Sequence, residues 1–251
     1  MSETIPKLRN PPIMEAVLDI ECDLPPSADL GALEAPARKA FGEQYPTLQR
    51  RLWRELRMEA KTDGALNSSV QHGLQALLFT DSTGKQLIQV RKSGYSFNRL
   101  APYESLNAYL SEIHRTWDLY REIASPIVVR SLRLRYINKI RIPFEAAPVE
   151  LDKYLRLQQM LADDQRLTLT GFLNQYSAIE NETRHQVAVV LTAQPQEADK
   201  LPVIFDNAAA ASVEIKPDDW TRISNILLEL RALKNLVFRK TLTDSCMELF
   251  Q

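Results

Sequence analysis

The sequence predicts an α+β fold built from two βαβββα half-repeats, with mostly antiparallel sheets and helices packed on one face. Two periodicities predict it. Stretches that alternate apolar and polar side chains every two residues, and stretches with apolar residues every three or four, follow one another as strand, helix, three strands, helix, and then do so again. The halves are residues 1–125 and 126–251. Only Ser125-Pro126 stands between them, with no Gly/Ser linker, so they are expected to pack together as one compact unit. The correspondence lies in element order and not in residue identity.

In the first half, residues 13–24 (IMEAVLDIECDL) alternate Leu18, Ile20, Cys22 and Leu24 with acids at 19, 21 and 23, a strand with one wet face. Pro25-Pro26 stops it. From Asp29 to about Arg51, Leu30, Leu33, Ala37, Ala40 and Phe41 recur at helical spacing, with Pro36 inside the first turns and Tyr45-Pro46 as a breaker. Residues 53–61 (WRELRMEAK) alternate as a strand, 62–69 form a polar loop, and 72–80 return as a strand. Asp81-Ser82-Thr83-Gly84 is a turn, and Gln86–Phe97 completes a hairpin. A helix over about 103–124 carries Leu106, Tyr109, Leu110, Ile113, Trp117 and Tyr120 on one face and ends at Ser125-Pro126.

The second half opens with a long strand, VVRSLRLRYINKIRIP, at 128–143. A loop over 143–148, a helix over 149–161 and strands over 167–179, 184–193 and 201–205 follow. Pro217 suits a first helical turn, and Trp220, Ile223, Leu227, Leu230, Leu233 and Val237 mark a helix to about Arg239. Thr243 or Asp244 can cap a short final helix.

Composition narrows function more than it names it. Lys+Arg number 31 and Asp+Glu 32, so the whole chain is no electrostatic trap for nucleic acid. Seven glycines against 14 prolines leave little material for phosphate-cradling loops, and neither a Walker A nor a dinucleotide fingerprint occurs. No cofactor is therefore expected. Cys22 and Cys246 could form one disulfide, but free thiols are the expectation, and His72, His114 and His185 show no metal-ligand spacing with them. With no GxSxG and no framed Cys–His pair, nucleophilic catalysis has no support. The opening residues lack the pattern of a signal peptide, and no apolar run approaches membrane-spanning length, so a cytoplasmic protein without membrane contact is expected.

The segments PPIMEAVLDI at 11–20, FNRLAPY at 97–103, RLRYINKIRIP at 133–143 and NLVFRKTLTDSCMELF at 235–250, together with Trp117 and Tyr120, carry a resemblance over nearly the whole chain. It resembles a sporadically distributed, uncharacterised bacterial family of about this length. The family's patchy occurrence implies mobile or antiphage-defence gene neighbourhoods, and hence an accessory or antitoxin-like component. The resemblance supplies no catalytic residue.

The sharpest local feature is RSLRLRYINKIR at 130–141, with five bases and no acid. On a strand, Arg133, Arg135, Ile137, Lys139 and Arg141 share one face. Four cations on a face repel unless something anionic answers them. Arg133, Arg135, Lys139 and Arg141 are thus candidates for binding a partner protein, phosphate or a nucleic-acid backbone. Alternatively, acids of neighbouring strands pair with them, Asp19, Glu21, Asp23, Glu55 and Glu59 being available. Glu55 and Glu59 also share a strand face and could hold a divalent metal, but Arg57 stands between them where a second acid would be wanted. Phe97, Tyr103, Trp117 and Tyr120 read as core, or as a base-stacking platform. Two function classes follow. One is a non-enzymatic binding protein that uses the basic strand, with a protein partner or a second copy of itself. The other is a metal-dependent phosphoryl-transfer or triphosphate-hydrolysing enzyme that combines Glu55 and Glu59 with Arg133, Arg135 and Lys139.

Overall fold

The structure is a computed structural model that describes residues 8–60, 66–143, 150–156 and 170–251. Its elements are β1 (Ile13–Asp23), α1 (Glu34–Phe41), β2 (Thr47–Ala60), β3 (Leu66–Thr80), β4 (Gln86–Arg91), β5 (Gly94–Leu100), α2 (Leu106–Ala124), β6 (Val128–Pro143), β7 (Leu173–Ile179), β8 (Gln186–Ala193), β9 (Lys200–Ile215), α3 (Trp220–Thr241) and α4 (Asp244–Glu248). The α+β class is as expected. All nine strands belong to one antiparallel sheet, in the order β2-β3-β4-β5-β1-β6-β9-β8-β7. β1 and β6 run side by side at its centre, and each has on its other side the strand that precedes the next long helix, β5 or β9.

Several expected elements are corrected. The first half holds five strands and not four, because Gln86–Phe97 is broken by a two-residue hairpin at Lys92-Ser93. The first helix is only Glu34–Phe41, and strand begins at Thr47 directly after Tyr45-Pro46. Residues 66–69, expected as loop, belong to β3. Within the helix expected over 149–161, the described residues form one 3-10 turn, Leu151–Lys153, before Leu155 bridges to Leu242; the remainder, and the loop over 144–148, lie outside the described residues. β9 runs ten residues past Phe205. Pro217 precedes α3 rather than opening it, and its carbonyl accepts from Trp117 Nε1 at 3.0 Å.

Local chemistry fixes the helix ends. Ser105, Asp219 and Thr243 cap α2, α3 and α4, their side-chain oxygens accepting from the backbone N–H three residues on. Ser125 ends α2 in the left-handed conformation just before Pro126.

The sheet has two unlike faces. Leu18, Ile20, Tyr95, Phe97, Leu132, Leu134, Tyr136, Ala209 and Ala211 meet Phe41 of α1, Trp117 and Tyr120 of α2, and Leu227 and Leu230 of α3 in one core. A second cluster continues it under α4, joining Ile140, Ile142, Leu191 and Phe205 to Cys246, Met247 and Phe250. All four helices therefore lie on one face. No helix among the described residues covers the other.

Gly94 makes a close approach possible at the β4–β5 turn. It has φ +138, and a Cβ there would sit 2.1 Å from the Ile20 carbonyl oxygen of β1. Gly84 also has positive φ (+69) but stands in open space. Gly84→Ala is expected to cost about 1–2 kcal/mol from the backbone conformation alone. Gly94→Ala should cost more, since β1 and β5 must also part. Urea midpoints for the two variants check the order.

Candidate binding site

β6 alternates as the spacing predicts. Leu132, Leu134, Tyr136, Asn138, Ile140 and Ile142 are buried under the helices, and the cations occupy the uncovered face. Acids answer most of them. Arg135 Nε donates to both Asp206 oxygens, at 2.8 and 3.0 Å, and its Nη2 donates again to Oδ2. That bond holds its guanidinium above the ordinary pKa against the opposing effect of burial. Lys139 Nζ pairs with Glu197 at 2.5 Å, and Arg141 reaches the same carboxylate at 3.7 Å. Arg130 pairs with Asp23 at 2.7 Å and Glu214 at 3.3 Å.

Arg133 differs. It lies directly opposite Asp19 in the β1–β6 register, yet an Asp19 oxygen already accepts from Ser96 Oγ at 2.5 Å and Arg91 Nη2 at 3.2 Å. Among the described residues no carboxylate lies within ion-pair distance of Arg133. Of the five acids the sequence offered as partners, only Asp23 pairs with a cation of this strand among the described side chains; Asp206, Glu214 and Glu197 supply the rest. Asp206 and Glu214 lie on the part of β9 that the sequence left unassigned, where four consecutive alanines give a weak strand signal.

Those small residues shape the surface. Ser131, Ala188, Ala208 and Ala210 form the floor of an open groove of about 790 Å³ on the uncovered face, with Ile179 beside them. Arg133 and Glu21 both line it, one charge of each sign. Toward β5 and β4 the same face is closed by a polar ladder. Gln89 donates to Asn98 at 2.9 Å, and Asn98 to Glu15 at 2.6 Å.

On the helix-covered face the structure adds a site the sequence reading missed. Lys234 of α3 is only 7% exposed, and its ammonium sits 3.5 Å from the centroid of the Tyr136 ring. No acid pairs with it among the described residues. Burial, reinforced by the charge of Arg231, pulls its pKa down to about 7. Asn207 Nδ2 holds the Lys234 carbonyl at 2.9 Å, and the hydroxyls of Tyr103 and Tyr136 bond each other at 2.5 Å. A signal was present: Ile223, Leu227, Leu230 and Lys234 are the buried positions of α3, so the apolar stripe leads straight to a lysine.

The remaining candidates separate. Glu55 is exposed on β2, the last strand of the sheet, and the Glu59 side chain lies outside the described residues. β2 and β6 are five strand spacings apart, roughly 24 Å along the sheet. Glu55 and Glu59 therefore do not join Arg133, Arg135 and Lys139 in one site, a correction to the metal–phosphate arrangement. Among the described residues no group of three or more His, Cys, Asp or Glu is placed to hold a metal ion. Phe97, Trp117 and Tyr120 are core, and Tyr103 packs edge-on against Tyr136. His114 stacks on Trp220 at 4.4 Å. His185 is largely covered and meets Glu229 at 3.1 Å. Cys22 and Cys246 are free and buried, and burial pushes their thiols up to about 11 and 12.

In comparisons with known proteins, no family model matches the chain and no curated protein matches it significantly.

Proposed function

We propose that the chain is a non-catalytic binding protein that takes an extended acidic segment of a partner protein into the groove on its uncovered sheet face. The observation that carries this reading is the isolation of Arg133. Arg130, Arg135, Lys139 and Arg141 each have an acid, whereas Arg133 lines the groove without one among the described residues. The alanine and serine floor lets a backbone approach closely. Glu21 then faces the donors of such a segment while Arg133 meets its carboxylate. A nucleic-acid backbone fits less well, because Glu15, Asp19, Glu21, Asp23 and Asp206 place acids along the same face. The phosphoryl-transfer reading loses its composite site to the separation of β2 from β6, and Asp206 and Glu197 engage Arg135 and Lys139.

Within this reading, residues 1–125 and 126–251 are duplicated halves joined at β1 and β6. Outward from that junction the strands descend in chain order on both sides, β5-β4-β3-β2 and β9-β8-β7, which supports a common origin. The likeness to the sporadic bacterial family belongs to the proposal too, with a cytoplasmic, accessory or antitoxin-like part in a defence-type module. Its support is that three of the segments carrying the likeness meet at one cavity, which Pro11, Pro12, Ile13, Asn138, Phe238 and Met247 line. No helix among the described residues is long and apolar enough to cross a membrane.

The test compares tagged wild type, Arg133→Gln and Arg135→Gln in the native host, with quantitative mass spectrometry of what co-purifies. Arg133→Gln should fold with unchanged stability, since it breaks no ion pair among the described residues, and lose a specific partner by at least about tenfold. Arg135→Gln leaves Asp206 unanswered and should lower stability. A partner retained equally by Arg133→Gln and wild type would overturn the proposal. Recovery of a second copy of the chain alone would replace the acidic partner with self-association.

A further inference from the structure

We infer that the cavity between α3, α4 and the start of β1 binds a small oxyanion through Lys234 and Arg239. Its walls are mostly apolar: Pro11, Pro12, Ile13, Phe238 and Met247. Its polar members are Lys234, Asn235, Arg239 and Asn138, with no carboxylate among the described residues that line it. Arg239 Nη2 is buried without an acceptor among the described residues, and the Lys234 ammonium lies over the face of Tyr136 with no acid beside it among them. Lys234 and Arg239 thus bring two positive charges to the lining of one small cavity, and neither Lys234 Nζ nor Arg239 Nη2 meets an acceptor among the described residues, an arrangement that folding alone disfavours. An oxyanion answers both. Arg231, one turn back on α3, adds to the positive potential.

Size limits the ligand. The cavity measures about 90 Å³, against roughly 10–15 Å³ for a single water on the same scale. It accommodates phosphate or a short carboxylate and excludes a nucleotide. It lies on the helix-covered face, opposite the Arg133 groove, so occupancy of one does not require the other.

Thermal unfolding of the full chain in inorganic phosphate, acetate or chloride at matched ionic strength tests this. Phosphate or acetate should raise the midpoint saturably above chloride. A larger shift with phosphate marks a tetrahedral oxyanion, and a larger shift with acetate marks a carboxylate. Lys234→Met, which keeps the packing volume, should remain folded and weaken the anion at least about tenfold. Arg133→Gln should keep the full response. An equal response in Lys234→Met, or no saturable difference from chloride up to about 50 mM in wild type, would overturn the assignment.

Discussion

Trp117→Ala is expected to destabilise the fold by about 3–5 kcal/mol, the largest loss from any single truncation considered. Trp117 is fully buried, stacks on Tyr120 at 5.4 Å and meets Tyr95 edge-on at 5.8 Å. Its indole N–H also ties α2 to the segment before α3 by donating to the Pro217 carbonyl. Removal therefore opens a cavity in the larger core and leaves a carbonyl without its donor, at the point where elements of both halves meet. For a chain of this size the midpoint should fall by roughly 10 °C. Trp117→Phe, which keeps most of the apolar volume and loses the hydrogen bond, should lose only about 1–2 kcal/mol. Far-UV circular dichroism during heating measures both without relying on tryptophan emission.

Lys234→Met should move stability the other way. A buried amine with a pKa near 7 is neutral in the folded protein at pH 9, whereas the unfolded chain holds it protonated up to about 10.5. Between those values the folded state binds fewer protons, so wild-type stability from this group rises with pH. The penalty is complete below pH 7 and fades toward pH 10.5. From pH 7 to 9 wild type should therefore gain about 2 kcal/mol relative to Lys234→Met, and at pH 7 the methionine variant should be the more stable by about 1–3 kcal/mol. The groups around Lys234 leave this window clear. Burial raises the Tyr136 phenol to about 12 and the Tyr103 phenol further still. Urea unfolding of both proteins at pH 7, 8 and 9 gives the slope. A flat difference would mean that Lys234 is neither desolvated nor uncompensated. A gain in stability joined to a loss of anion binding would show why the position keeps a charge.

Some of this was legible before any coordinates. Strict alternation in RSLRLRYINKIR placed Arg133, Arg135, Lys139 and Arg141 on one face and the aliphatic residues on the other, because a period of two leaves no other solution for a strand buried on one side. Pairing across the sheet was not legible. It depends on which strand lies beside which, and β9 escaped notice past Phe205, because alanines neither alternate in polarity nor favour strands. Asp206, the partner that claims Arg135, was hidden with it. The Lys92-Ser93 hairpin was missed for a different reason: Ser93-Gly94 is a two-letter signal inside a run of mixed polar and apolar residues that reads as one continuous strand. Lys234 was within reach. Its spacing from Ile223, Leu227 and Leu230 placed it on the buried face, but a lysine beside an apolar stripe reads as a side chain that snorkels to water.

The distinction among the cations of β6 also changes how they should be tested. Reversing Arg133, Arg135 and Lys139 together would break the pairs with Asp206 and Glu197 and confound folding with binding. Arg133 alone separates the two. The most direct measurement places the photoreactive residue p-benzoylphenylalanine at Ala188, exposed on the groove floor, in cells of the native host. The expected result is a discrete crosslink to a protein partner that disappears when Arg133→Gln is added. Crosslinking from a control position on the helix side, Leu236 of α3, with none from Ala188, would contradict it and move the binding surface to the other face of the molecule.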